Sequence, residues 1–343
     1  MLSPPRAFAI LLASTASGLR VSRTDAAVEG RSPCNGASGS WHWEMQKDGA
    51  EYYDLRSASD EQVGLLQKNF KPQGRQQYIR PFYWEWKPAT DDCTFTKMNR
   101  ASFCRGMEKH NLTRFLVVGD SISFMMAESF WGLVGDGLDL GQQVSATGVQ
   151  HRIDCPAGEV LFSFIRNDRL SNTTIFEECG DRCIPWWRTY LDDERPTLLL
   201  VNTGIHTHSL ENFTKDFDGF TSRLAGVSHL RQKDRVYFRL TLPGHGDCTK
   251  YTSPFKKVDD FSLDTLLAKL YTWDLVPAFN EHVKKAVADF AASQSLSFTV
   301  LDPYIMTVLR PDGHRGDLGD CLHYYLPGAP DWWNHLLATV LLE

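Results

Sequence analysis

The sequence predicts an α/β sandwich around a mostly parallel sheet, with a cysteine- and tryptophan-rich lobe on its N-terminal side. Three observations carry this. After Leu112, short apolar β-rich runs alternate with stretches of helical spacing, the texture of βαβ units. The runs are followed by polar residues or glycine, as buried strands of a parallel sheet are. Before that point the chain is aromatic and irregular, which fits loops and short strands tied by cystines.

Taken in order, Arg6 precedes an apolar stretch from Ala7 to Ala13 and a small-residue run from Ala13 to Gly18. That is the three-part build of a secretory signal, so residues 1–18 are expected to be a signal peptide. Its apolar part is too short to anchor in a bilayer, and no later segment reaches the roughly 18 apolar residues of a membrane span. Residues 19–33 are small and polar and read as a linker. Residues 34–105 form the expected lobe, with Trp41, Trp43, Tyr52, Tyr53 and the cluster Pro81-Phe82-Tyr83-Trp84-Glu85-Trp86. Residues 106–343 form the expected catalytic domain. Its buried strands are expected at Phe115 to Val118, Val160 to Ile165, Leu198 to Val201, Val236 to Leu242 and Phe298 to Leu301. Helices are expected at Ile122 to Val134, at Leu263 to Ala292 with a break at Pro277, and at Asp331 to Leu342 with Asp331 as cap.

Composition narrows the function classes. Of 343 residues, 42% are hydrophobic and 23% charged, which excludes a disordered or fibrous chain. Lys and Arg number 36 against 42 Asp and Glu, a formal charge of -6. Nucleic-acid binding, which needs a basic face, is therefore not expected. The 8 cysteines are spread along the chain. Only Cys179 and Cys183 are close, and no two-pair CxxC arrangement for zinc exists. With the leader and the sequons at Asn111, Asn172 and Asn212, they read as a disulfide framework whose pairing spacing alone leaves open.

Three segments carry candidate chemistry. In Phe115-Leu116-Val117-Val118-Gly119-Asp120-Ser121 a strand runs through a tight turn into a helix. Ser121 would sit at a strand's carboxyl end and a helix N-terminus, where free N–H groups and the helix dipole favour a developing oxyanion. The Gly-Asp-Ser triplet recurs by chance, and its setting is what gives it weight. In Asp320-Cys321-Leu322-His323, residues three apart can face the same way. Asp320 can then accept from one imidazole nitrogen of His323 and direct the other at a serine hydroxyl. Such pairs also coincide by chance, but loop-forming residues flank this one on both sides. In Asn202-Thr203-Gly204 another strand ends at the same sheet edge. Asn202 or the Gly204 N–H could donate to an oxyanion, with a structural turn as the plain alternative. Arg166-Asn167-Asp168 competes for that role.

His206 and His208 share one strand face, but only His245 offers a remote further ligand, so no metal is expected. The pairs Trp41/Trp43, Trp84/Trp86, Trp186/Trp187 and Trp332/Trp333 read chiefly as packing. A minority could stack on sugar rings.

These pieces in this order resemble the SGNH (GDSL-type) esterase superfamily, and more narrowly the trichome-birefringence-like and PC-esterase proteins. The residues that carry the resemblance are Cys34 followed by Gly39-Ser40-Trp41; Trp84 to Pro88 leading to Cys93 and Phe103-Cys104; Val118 to Ser121; Asn202 to Gly204; and Asp320 to His323. The stretch from Leu326 through Asn334 is the most specific. The resemblance implies a three-layer α/β/α sandwich with Ser121 as nucleophile, His323 as base and Asp320 as its orienting partner. It also implies Cys248–Cys321 and Cys34–Cys93 bridges. Two departures stand out: Phe124-Met125-Met126 replaces the usual Arg-Asn after the serine block, and Ile205-His206-Thr207-His208 replaces an aromatic pair. Donor and acceptor preferences are therefore expected to differ from those of the plant enzymes.

The functional expectation is an O-acetyltransferase of the secretory pathway, in the Golgi lumen or secreted, moving acetyl groups onto carbohydrate hydroxyls. A carbohydrate acetylesterase with the same residues is the alternative, and a non-catalytic carbohydrate-binding or wall-associated protein the third reading. The partners are a carbohydrate acceptor and an acetyl donor of unspecified identity, with no bound cofactor.

Overall fold

A computed structural model of the chain describes residues 32–43, 84–135, 149–171, 182–315 and 319–343. The expected signal, most of the linker, Tyr52, Tyr53, Pro81 to Tyr83, Asn172 and Cys179 lie outside the described residues.

In chain order the elements are β1 (Gly39–Trp43), β2 (Trp84–Pro88), α1 (Arg100–Lys109), β3 (Arg114–Gly119), α2 (Ser121–Val134), β4 (Val149–Cys155) and β5 (Gly158–Arg166). There follow α3 (Trp187–Leu191), β6 (Thr197–Val201), α4 (Leu210–Val227), β7 (Arg235–Arg239), α5 (Leu266–Leu270), α6 (Val276–Ser293) and β8 (Ser297–Leu301). The chain ends with α7 (Tyr304–Val308), β9 (His314–Arg315), β10 (Asp320–Tyr324) and α8 (Ala329–Leu342).

Six strands form the central sheet in the order β4-β5-β3-β6-β7-β8. All neighbours are parallel except β4, which pairs antiparallel to β5 as an edge strand. Strand alternation divides the sheet's side chains between two cores. Phe115, Val117, Phe162, Phe164, Leu198 and Leu200 face the core with α1, α2 and α8. Leu116, Val118, Ile165, Leu199, Val201, Val236 and Phe238 face the core with α4 and α6. This is a three-layer α/β/α sandwich. β3 lies between β5 and β6, where the winding of the chain reverses, and in such sheets ligands bind beyond the carboxyl ends of the strands at that point.

The N-terminal segment packs on the sandwich through its tryptophans, and of its two cystines one is internal and one crosses to β4. β1 and β2 pair antiparallel with Trp41 opposite Trp86. The two rings meet edge to face, and Trp41 meets Trp332 of α8 in the same way at 5.6 Å. Its indole N–H donates to Met306 O at 2.9 Å, which satisfies the one polar atom that burial would otherwise strand. Disulfides join Cys34 to Cys93 and Cys104 to Cys155. Helix α1 runs through residue 105, so the chain is continuous in structure across that position. Among the described residues no helix is long and apolar enough to cross a membrane.

Three local expectations are corrected. The helical stretch is interrupted as expected, but between Leu270 and Val276, and Pro277 itself opens α6 in its first turn, where its missing N–H costs nothing. Asp331 is not the cap residue of the last helix. It stands one turn in, and its carboxylate accepts the Gly328 N–H at 2.5 Å. The fourth predicted strand ends at Arg239, three residues early, where its partner β8 ends opposite it at Leu301.

Candidate active site

Gly119 and Asp120 shape the turn between β3 and α2. A Cβ on Gly119 would lie 2.4 Å from Ser123 Oγ and 3.1 Å from Asn202 O, so only glycine lets β3, β6 and the helix start converge. Asp120 is buried and caps α2, its Oδ1 accepting the Ile122 and Ser123 N–H groups at 2.9 and 3.1 Å. That leaves Ser121 at the first helical position, where its N–H has no carbonyl one turn earlier to bond. Its hydroxyl stands where the positive end of the helix dipole is strongest.

From 202 residues away, β10 brings His323 Nε2 to 2.8 Å from Ser121 Oγ. His323 Nδ1 lies 2.8 Å from Asp320 Oδ2. The other carboxylate oxygen accepts the Leu322 and His323 N–H groups at 3.1 and 3.0 Å. Burial alone would push the Asp320 carboxyl up, but the His323 ring and these backbone donors hold it well below the ordinary carboxylate value. A carboxylate can only accept, so His323 Nδ1 carries the proton and Nε2 turns its lone pair to the Ser121 hydroxyl. Asp320 and His323 remain 31% and 28% exposed, so the arrangement opens to solvent on one side. The Cys248–Cys321 disulfide ties this strand to the segment after β7.

The Asn202 carboxamide points inward. Its Nδ2 donates to Arg239 O at 2.8 Å and Thr203 O at 3.3 Å, and its Oδ1 accepts from Arg239 Nη2 at 2.9 Å. Both amide hydrogens are thus used in the core, which removes Asn202 as an oxyanion donor in this arrangement. Asn167 is equally committed, donating to Ser171 O and Ile184 O and accepting from the Arg169 and Ser171 N–H groups. The Gly204 N–H, by contrast, finds no acceptor among the described residues. Gly204 has φ +126 with Thr241 packed against its Cα, a position that excludes any side chain.

Other predicted residues have separate surroundings. His206 Nε2 lies 3.5 Å from Asp168 Oδ2, His208 faces Thr272, and His245 is buried against His314. Among the described residues no group of three or more His, Cys, Asp and Glu is arranged to hold a metal ion. Asn111 and Asn212 are exposed, Asn212 in the first turn of α4. Sequence reasoning missed Arg239, whose signal is a lone charge inside an apolar run.

A hydroxyl, an imidazole and a carboxylate stand in one hydrogen-bonded line at the carboxyl edge of a parallel sheet covered on both faces, on an SGNH-like fold. Residues 219–340 match the PC-Esterase family, described as a GDSL/SGNH-like acyl-esterase family found in Pmr5 and Cas1p. The matched segment is the C-terminal part of the chain, from within α4 to within α8. Protein trichome birefringence-like 25 of Arabidopsis thaliana is 24% identical over 366 aligned positions, covering 88% of this chain and 76% of that protein. Protein trichome birefringence-like 41 of the same plant is 31% identical over 120 residues, 33% of this chain. Xyloglucan O-acetyltransferase 4 of Populus trichocarpa is 35% identical over 80 residues, 21% of this chain. The matched segments span 32% and 19% of those last two proteins.

Proposed function

We propose that the chain is a serine-dependent O-acetyltransferase that moves acetyl groups onto carbohydrate hydroxyls. The observation that carries this reading is the line from Asp320 through His323 to Ser121, with both contacts at 2.8 Å. The names of two relatives as xyloglucan O-acetyltransferases support a polysaccharide acceptor. Residues 106–343 hold the chemistry in this reading, and residues 34–105 brace it.

In the first half-reaction Ser121 Oγ attacks the acetyl carbonyl of the donor while its proton passes to His323 Nε2. The Ser121 N–H and the Gly204 N–H stabilise the tetrahedral oxyanion. On collapse the donor's leaving group departs with the proton from His323, and acetyl-Ser121 remains. A sugar hydroxyl then gives its proton to His323 Nε2 and attacks the acetyl carbonyl, and Ser121 recovers its proton as the acetylated sugar leaves. Asp320 keeps the imidazole in the required tautomer and balances its charge when protonated. Water in place of the sugar gives an acetylesterase with the same residues. The cystines and the leader-like N-terminus support an oxidising compartment, the Golgi lumen or outside the cell.

The test is to incubate purified protein with p-nitrophenyl acetate and xyloglucan oligosaccharides and to follow both products. Acetylated oligosaccharide that is absent with Ser121→Ala supports transfer. Acetate alone, in a Ser121-dependent reaction, moves the assignment to an esterase. Turnover equal to that of Ser121→Ala overturns both.

A further inference from the structure

Beneath the Ser121 turn lies a buried cation with no part in the steps above. Arg239, the last residue of β7, is 1% exposed. Its Nη2 donates to Asn202 Oδ1 at 2.9 Å and to Ser123 Oγ at 3.1 Å, and its Nη1 donates to Leu240 O at 3.3 Å. The guanidinium stands 4.0 Å from Asp120 Oδ1 and lies over the Trp333 ring at 5.3 Å. In return its own carbonyl accepts from Asn202 Nδ2 at 2.8 Å.

These contacts reach the two chain segments whose spacing the chemistry needs. Ser123 and Asp120 flank Ser121 on the nucleophile turn, and Asn202 lies two residues before Gly204 on the neighbouring strand end. One nitrogen, Nη2, bonds both, and it is held there by the Nη1 bond to Leu240 O and by the guanidinium plane over Trp333, contacts that a lysine's compact ammonium does not reproduce. The turn has little room to adjust, because Gly119 already lacks space for a methyl group against Ser123. Burial pushes the Arg239 pKa down to about 10 against the opposing pull of Asp120, so the group stays charged at neutral pH.

We infer that Arg239 is a positioning residue for acyl transfer: it locks the Asp120–Ser121 turn to the Asn202–Gly204 segment and sets the spacing between the nucleophile and the oxyanion-facing N–H groups. The inference rests on the assignment of Ser121 as nucleophile. A purely structural arginine would alter stability and leave the kcat of the folded protein unchanged. A positioning residue acts on kcat, because small displacements of reacting groups are costly in rate.

The experiment measures p-nitrophenyl acetate turnover by the full chain carrying Arg239→Lys, Ser123→Ala, Asn202→Ala and the Arg239→Lys/Asn202→Ala pair. Arg239→Lys is expected to lower kcat by about 10–100-fold with KM changed by less than about two-fold. Each alanine variant removes one acceptor of Nη2 and is expected to lower kcat several-fold. The double variant should be no slower than Arg239→Lys, since residues acting as a unit are non-additive. A folded Arg239→Lys with wild-type kcat overturns the inference, and so do additive losses in the pair. If Arg239→Lys does not fold, Ser123→Ala and Asn202→Ala decide, and unchanged kcat in both overturns it. Failure of the nucleophile assignment is distinguishable, because wild-type turnover would then persist in Ser121→Ala.

Discussion

Replacing Asp320 by asparagine changes one atom and should abolish most of the activity. The carboxylate accepts three hydrogen bonds: two from the Leu322 and His323 N–H groups on Oδ1 and one from the His323 ring on Oδ2. An asparagine in the same rotamer has one acceptor oxygen. Satisfying two backbone donors outweighs satisfying one ring donor, so the amide oxygen takes the Oδ1 place and its NH2 faces His323 Nδ1. That contact is tolerated only if Nδ1 gives up its proton, which moves the hydrogen to Nε2. His323 then donates to Ser121 Oγ instead of accepting from it, and the general base is lost. The corresponding tautomer inversion in serine proteases costs about 10⁴ in kcat. Here the pair is about a third exposed, and solvent softens the effect to about 10³, or roughly 4 kcal/mol of transition-state stabilisation. The assay is initial-rate hydrolysis of p-nitrophenyl acetate, with Ser121→Ala as baseline and circular dichroism as the check on folding. A folded Asp320→Asn within about ten-fold of wild type would refute the tautomer argument.

Two further outcomes follow from the same geometry. His245 is buried with its Nε2 donating to Val308 O and its Nδ1 2.6 Å from His314 Nε2. Desolvation pushes its pKa down to about 4, below the ordinary value near 6.5, and His314 is lowered as well. The unfolded chain thus binds more protons than the folded one between pH 6.5 and 4, and His245 makes stability fall as pH falls across that window, by about 3 kcal/mol at its lower end. Chemical denaturation at several pH values should show this slope, and a His245→Gln variant should flatten it. The Cys248–Cys321 bridge closes a separation of 73 residues next to Asp320 and His323. The Cys248→Ser/Cys321→Ser pair should lose about 2–5 kcal/mol of stability, measured by denaturant titration, and should lower kcat in the fraction that stays folded.

Local signals made much of this molecule readable, and remote ones did not. The five parallel strands announce themselves because burial on both faces demands continuous apolar runs such as Leu198-Leu199-Leu200-Val201. Strand β4 gives no such signal, because it is an edge strand with alternating polar residues whose identity depends on pairing with β5. Helix α4 carries a local signal of its own: Phe213, Phe217, Phe220 and Leu224 fall on one face behind the Ser209 cap. Within the site, Asp320 and His323 are legible because they lie three residues apart, and Ser121 because strand, turn and helix start are contiguous. The direction of the Asn202 side chain is different in kind. It is decided by Arg239, 37 residues away, whose charge has no local reason to be buried. Sequence position placed Asn202 at the correct edge, and tertiary electrostatics turned it inward.

The central claim is that Ser121 accepts an acetyl group from a donor and passes it on. Rapid acid quenching of the enzyme mixed with p-nitrophenyl acetate, followed by peptide mass spectrometry, tests it directly. The account predicts an acetyl group on the Ser121 peptide that forms within the first turnover and disappears when oligosaccharide or water is given time to react. It also predicts that His323→Ala slows the formation of that adduct. Turnover with no acetylated Ser121 peptide, or with the acetyl group on another residue, would contradict it.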